Sequence, residues 1–175
     1  LAVTVILNCL AVLFFAVAGT NSAAAQEEKS MRQKIEEVHS IIMNEFVDEN
    51  TNMIYELKKS VWFRYLPTSE EVGKDIPNRC GWLTGMEDGA LNGSIYLTLL
   101  LKRYELYHDK KSPEEIKRIL QGLFRLGTVS QTKGFLARAV SADGEHYYSN
   151  SSVDQYTMYV YGLWKYYHSA LATPG

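Results

Sequence analysis

The sequence predicts an all-α fold of antiparallel helical hairpins, and three observations predict it. Apolar residues recur at three- and four-residue steps over four separate segments. Two of these segments carry charges on their remaining faces, and they alternate with two that are apolar nearly all round. The connections alternate as well, long before each apolar helix and short after the first one. Outer amphipathic and inner apolar helices, with long loops gathered at one end, describe a layered ring or solenoid whose function sits on the long-loop face.

In chain order, residues 1–25 contain no charge, and the apolar run from Val3 to Ala18 is followed by small residues up to Ala25. Ala23 and Ala25 have the small-x-small spacing of a signal-peptidase site, so a secretory signal cut before Gln26 is expected, with an uncleaved membrane anchor as the alternative. Cys9 lacks the small residue that lipidation needs just before it. The first periodic segment, about Glu27 to Val47, puts Met31, Ile35, Val38, Ile42 and Phe46 on one face. The second, about Ala90 to Tyr107, is ringed by Leu91, Ile95, Leu97, Leu100, Leu101 and Tyr104 and is expected to be buried on most sides. Ser112, Pro113 and Glu115 then read as cap, first helical position and capping-box acid of an amphipathic third helix ending near Leu126. The fourth, about Ser152 to Leu171, repeats the apolar kind with Val153, Tyr156, Tyr159, Val160, Leu163, Trp164 and Tyr167. Short extended pieces are expected in the loop before it, at Phe135 to Val140 and His146 to Tyr148, around the turn signal Asp143-Gly144.

Composition limits the function classes. The 175 residues have a formal net charge of −2 with 22% charged and 46% hydrophobic residues, which argues against a basic nucleic-acid binder and against a disordered acidic chain. After loss of the signal, Cys80 is the sole thiol, so no intramolecular disulfide is expected. His39, His108, His146 and His168 show neither ligand spacing nor clustering, so no metal and no cofactor is expected.

The candidate chemistry lies in the two long loops. Before the second helix, Arg79 to Gly89 offers Trp82 as a flat apolar platform for a pyranose ring, with Glu87 and Asp88 as candidate acids or bases at the helix mouth. The structural alternative for Asp88 is a helix cap. In the second loop Arg138 stands among apolar neighbours and needs an anionic or carbonyl partner, either Asp154 or a substrate carboxylate or sulfate. Asp154 is a third candidate acid or an ordinary first-turn residue, and Gln155 and Tyr156 flank it. If the two apolar helices are neighbours, these residues form a polar, aromatic-walled cleft of the kind that holds carbohydrate.

The strings Gly85-Met86-Glu87-Asp88-Gly89-Ala90-Leu91-Asn92-Gly93-Ser94-Ile95-Tyr96-Leu97, Gly134-Phe135-Leu136-Ala137-Arg138 and Asn150-Ser151-Ser152-Val153-Asp154-Gln155-Tyr156 resemble segments of the six-hairpin glycosidase superfamily, in particular uncharacterised bacterial exported members. The resemblance covers roughly Glu27 to Ala170. It implies an α/α toroid and a carbohydrate-active protein, with glycoside hydrolases the largest group and polysaccharide lyases a related possibility. It also implies that a full ring has six hairpins where this chain supplies two, so remaining hairpins of a longer chain are expected as partners. The paired-aspartate pattern of unsaturated glucuronyl hydrolases is missing, and Cys80 alone does not make the cysteine cluster of zinc-dependent arabinofuranosidases. The expectation is therefore an exported protein, periplasmic or secreted, without stable membrane insertion once the signal is cut. Its site would use Asp88, Glu87 and Asp154 as catalytic carboxylates and Trp82, Arg138, Gln155 and Tyr156 as substrate-binding groups. A noncatalytic glycan-binding or helical-repeat scaffold is the competing reading.

Overall fold

A computed structural model describes residues 26–172. The expected signal, residues 1–25, lies outside the described residues. The chain divides into two compact units, Leu1–Met43 and Asn44–Gly175. In the first, α1 covers residues 26–45, running two residues past the boundary, and Gln33 Nε2 donates to Glu37 Oε1 one turn on at 3.0 Å.

The second unit is also helical, with α2 (Lys59–Tyr65), α3 (Ser69–Gly73), α4 (Gly89–Tyr107), α5 (Ser112–Thr128) and α6 (Val153–Tyr167). No strand forms among the described residues, and the one ladder contact there is an isolated antiparallel bridge between Val47 and Ile54. Helix α1 therefore ends before the expected Val47. Asp48 explains the stop: its Oδ1 accepts the Asn50 and Thr51 N–H groups at 3.0 and 2.7 Å and the Thr51 hydroxyl at 2.8 Å, turning the chain back on itself. The returning segment buries Met53, Ile54 and Tyr55, and Tyr55 Oη donates to the Val140 carbonyl at 2.7 Å. Two short helices, α2 and α3, then occupy the link expected to be a long loop. The capping box of Thr68 and Glu71 starts α3, with Glu71 N–H to Thr68 Oγ1 at 3.3 Å and Thr68 N–H to Glu71 Oε2 at 2.8 Å.

Helix α4 packs against both α5 and α6. Small residues lie at the closest approaches. A Cβ on Gly93 would come within 3.1 Å of Leu123 in α5, and one on Gly162 of α6 within 3.1 Å of the Ser94 carbonyl. Such spacing lets backbones approach closely, and Leu97, Leu100, Ile116, Ile119, Leu123 and Leu126 fill the interior beside them. The short turn between α4 and α5 is clasped by the buried guanidinium of Arg103, whose Nη1 reaches Ser112 Oγ at 2.8 Å, Glu115 at 3.1 Å and Asp109 at 3.4 Å.

The fourth periodic segment differs from expectation. Of α6 only Gln155 and Gly162 are buried, while Val153, Val160, Tyr161, Trp164 and Tyr167 stay exposed within this unit. The physical reason is that, among the described helices, α6 packs mainly against α4, with Tyr159 reaching Gly127 of α5. The expected extended pieces in the loop before it are irregular backbone. The turn between them does form, with Ser141 N–H to the His146 carbonyl at 2.9 Å and Asp143 accepting from Ser141, Glu145 and His146.

Candidate functional site

Because Leu91 lies beside Gln155 and Ser94 beside Gly162, α4 and α6 run parallel and open their N-termini at the same end. That juxtaposition brings Asp88, Arg138, Gln155 and the Glu87 carbonyl into contact, while the Tyr156 hydroxyl bonds to Leu136 and Gly134 instead.

Asp88 occupies the N-cap position of α4, yet its side chain makes no capping hydrogen bond. The first-turn donors are satisfied from outside the helix. Asp88 N–H donates to Glu56 Oε1 at 2.6 Å, Ala90 N–H to the Arg138 carbonyl at 2.8 Å, and Leu91 N–H to Gln155 Oε1 at 3.0 Å. The Asp88 carboxylate is thereby released. Its Oδ1 accepts Gln155 Nε2 at 2.6 Å and lies 3.7 Å from Arg138 Nη1, and 40% of the side chain remains open to solvent. The arrangement does not match the capping alternative for this residue.

Arg138 finds its partner in protein. Its side chain is only 7% exposed, and Nη1 donates to the Glu87 carbonyl at 2.9 Å beside the Asp88 contact. Nε is buried without a hydrogen-bond partner. Gly89 makes the close approach possible, since a Cβ there would stand 2.7 Å from the Arg138 carbonyl. Gln155 is fully buried, with its amide oxygen on α4 and its amide nitrogen on Asp88. Both residues, expected to meet a ligand, are turned to protein groups and hold the mouth in shape.

Glu87 points back to its own loop, its Oε1 accepting the Leu83 N–H. Leu83 has φ +66°, left-handed backbone that a branched residue seldom adopts, and it is fully exposed at the loop tip next to Trp82. Asn78 fixes the same tip: its Oδ1 accepts Cys80 and Trp82 N–H at 3.1 and 3.0 Å, and its Nδ2 donates to the Trp82 carbonyl at 3.1 Å. Trp82 is thus presented on a braced loop, 56% exposed. Tyr156 clamps the other loop, its hydroxyl accepting Leu136 N–H at 3.0 Å and donating to the Gly134 carbonyl at 3.2 Å.

Asp154 lies exposed at the start of α6. The Ser152 hydroxyl, which donates to its Oδ1, holds its carboxyl below the usual aspartate range, helped by its own helix's N–H groups and the Arg138 charge. Glu56 behaves oppositely. Burial pushes its carboxyl above the ordinary glutamate range, the Asp88 N–H opposes this, and the Glu87 and Asp88 charges add to it.

Glu56 is the member of this group that sequence reasoning missed. The one available signal was a charge inside the apolar run Met53-Ile54-Tyr55-Glu56-Leu57. Among the described residues no group of three His, Cys, Asp or Glu side chains is placed to hold a metal ion, and no helix is long and apolar enough to cross a membrane. A separate open groove of about 670 Å³ lies between the C-terminal halves of α4 and α6, lined by Leu99, Tyr104, His108, Tyr161, Trp164 and Lys165 among others. No family model, no curated protein and no solved structure matches the chain.

Proposed function

We propose that the chain belongs to an exported, periplasmic or secreted, carbohydrate-active protein, glycoside hydrolase-like, that acts on oligo- or polysaccharide through carboxylate acid/base chemistry at the mouth of α4. The proposed architecture is part of an α/α toroid, with α4 and α6 as inner helices and α5 as an outer one, completed by further hairpins. The observation that carries the reading is Asp88: an aspartate at a helix N-cap, relieved of capping by three outside groups and left partly open to solvent between a buried amide and a buried guanidinium. Donors of this kind fix a carboxylate's direction without covering its free face. Asp88 is the central acid/base group in this reading. Asp154, kept ionised by Ser152, supplies a second carboxylate, and Glu87 braces the loop that presents Trp82 to a sugar ring. A retaining hydrolase needs its two carboxyl groups about 5 to 5.5 Å apart and an inverting one about 6.5 to 9.5 Å.

The test is turnover on a panel of plant and host glycans in ¹⁸O-labelled water, with Asp88→Asn and Asp154→Asn. Label in the new reducing end marks hydrolysis, and an unlabelled, unsaturated product marks a polysaccharide lyase. Unchanged turnover in both variants removes the proposed site.

A second reading, noncatalytic glycan binding, is favoured by the exposed aromatic groove. There Tyr161 and Trp164 lie near-parallel at 6.4 Å, with Lys165 Nζ 5.5 and 5.4 Å from their centres. Oligosaccharide binding that Trp164→Ala abolishes, with no bond cleaved by the wild-type chain, decides for it.

A further inference from the structure

The geometry of α4's first turn assigns a task to Glu56. An aspartate in the N-cap position ordinarily accepts the N–H of the second or third helical residue with its own side chain. Here the Leu91 N–H is taken by Gln155, the Ala90 N–H by the Arg138 carbonyl, and the peptide N–H of Asp88 itself by Glu56 at 2.6 Å. Glu56 is held in place for this by its own N–H, which donates to the Gly85 carbonyl at 3.1 Å. The chain from Gly85 to Asp88 is therefore bound at both ends to one residue.

We propose that Glu56 is a positioning residue of the site: by gripping the Asp88 peptide it keeps the Asp88 carboxylate turned toward Gln155, Arg138 and solvent rather than folded down onto its own helix. The inference rests on Asp88 being the working carboxylate, but the grip itself needs no glycan. The charged groups facing Glu56 are the carboxylates of Glu87 and Asp88, and Asp88 in turn lies 3.7 Å from Arg138. Burial and those two like charges favour its protonated form against the pull of the Asp88 N–H, so the grip senses pH above the ordinary glutamate range.

The experiment uses the ¹⁵N-labelled 175-residue chain and reads the Gln155 side-chain amide, which reports its bond to Asp88. Asp88→Ala sets the displacement for a broken bond. Glu56→Ala is expected to move the Gln155 signals by a comparable amount. Glu56→Gln, whose amide oxygen still accepts the Asp88 N–H, is expected to leave them in place. Gln155 signals that stay put in Glu56→Ala while moving in Asp88→Ala overturn the proposal. If Glu56→Ala fails to fold, a pH titration of the wild-type Asp88 amide decides. The expected result includes a transition above the ordinary glutamate range that Glu56→Gln abolishes, and such a transition that is missing or survives in Glu56→Gln overturns the proposal. A protein that behaves as expected in these measurements yet leaves every glycan untouched contradicts the carbohydrate reading and not this one.

Discussion

Gln155 shows how much of the site depends on a single uncharged side chain. Its amide oxygen accepts the Leu91 N–H, its amide nitrogen donates to Asp88 Oδ1 and more weakly to the Glu87 carbonyl, and no part of it meets solvent. Truncation to alanine leaves the part-buried Leu91 N–H without its acceptor and one Asp88 oxygen without its donor. Gln155→Ala is therefore expected to cost about 1–3 kcal/mol in urea unfolding, and a loss below a few tenths would contradict the bridging role. At this scale the sequence was partly legible. Asp88, Arg138 and Gln155 are polar residues beside helix starts or among apolar neighbours, which is a readable local oddity. Glu56 was not legible, because its partner lies 32 residues further along and no short spacing links the two. Nor does spacing say which way a side chain turns. Gln155 and Arg138 look like ligand contacts until their burial is known.

The α4–α5 hairpin is the element whose sequence and structure agree best. Apolar spacing and Pro113 mark α5, and Ile116, Ile119 and Leu123 are buried as expected, whereas Phe124 is 69% exposed and the capping box expected at Ser112 and Glu115 does not form: Lys111 is the N-cap, and Ser112 is the first helical residue with its hydroxyl on Asp109. The clasp at its turn was not visible, since Arg103 reads as one more charge on an apolar helix. Removing a buried guanidinium strands the acids around it, so Arg103→Ala is expected to destabilise the fold by about 3–5 kcal/mol. The clasp also carries a pH signature. Burial raises the Asp109 carboxyl, but hydrogen bonds from Ser112 and Lys111 and the Arg103 charge outweigh it and hold the group below its usual value. A folded-state value below the unfolded one stabilises above the unfolded aspartate value of about 3.9 and is lost as pH falls through the folded one. The stability gap between wild type and Asp109→Asn is accordingly expected to close in thermal melts as pH is lowered through that window, and a gap independent of pH would refute it. Helices α2 and α3 escaped periodicity because they bury almost nothing; Val72 is the sole buried residue of the pair. The capping box at Thr68 was nevertheless in plain view.

For the molecule as a whole, the uneven cover of its apolar helices matters most. Their apolar patterns made α4 and α6 look alike, yet α4 packs on two helices, with Ile95, Leu99 and Leu106 still exposed, while α6 keeps Trp164 52% exposed along with Val153, Val160 and Tyr167. Apolar helices are covered by whatever tertiary partners the fold supplies, and a sequence pattern cannot count them. Residues 26–175 alone are expected to self-associate through such surface, read as a concentration-dependent mass in light scattering, and a monodisperse, cooperatively melting monomer would contradict this. The described residues of the second unit thus place a braced acid mouth at one end of a pair of parallel helices and leave one of those helices open along its side. The most direct measurement of the central claim is the turnover ratio of wild type to Asp88→Asn on the best glycan of the panel, both proteins having matching melting curves. The account predicts a loss of about 10²- to 10⁴-fold. Equal rates in two equally folded proteins would contradict it.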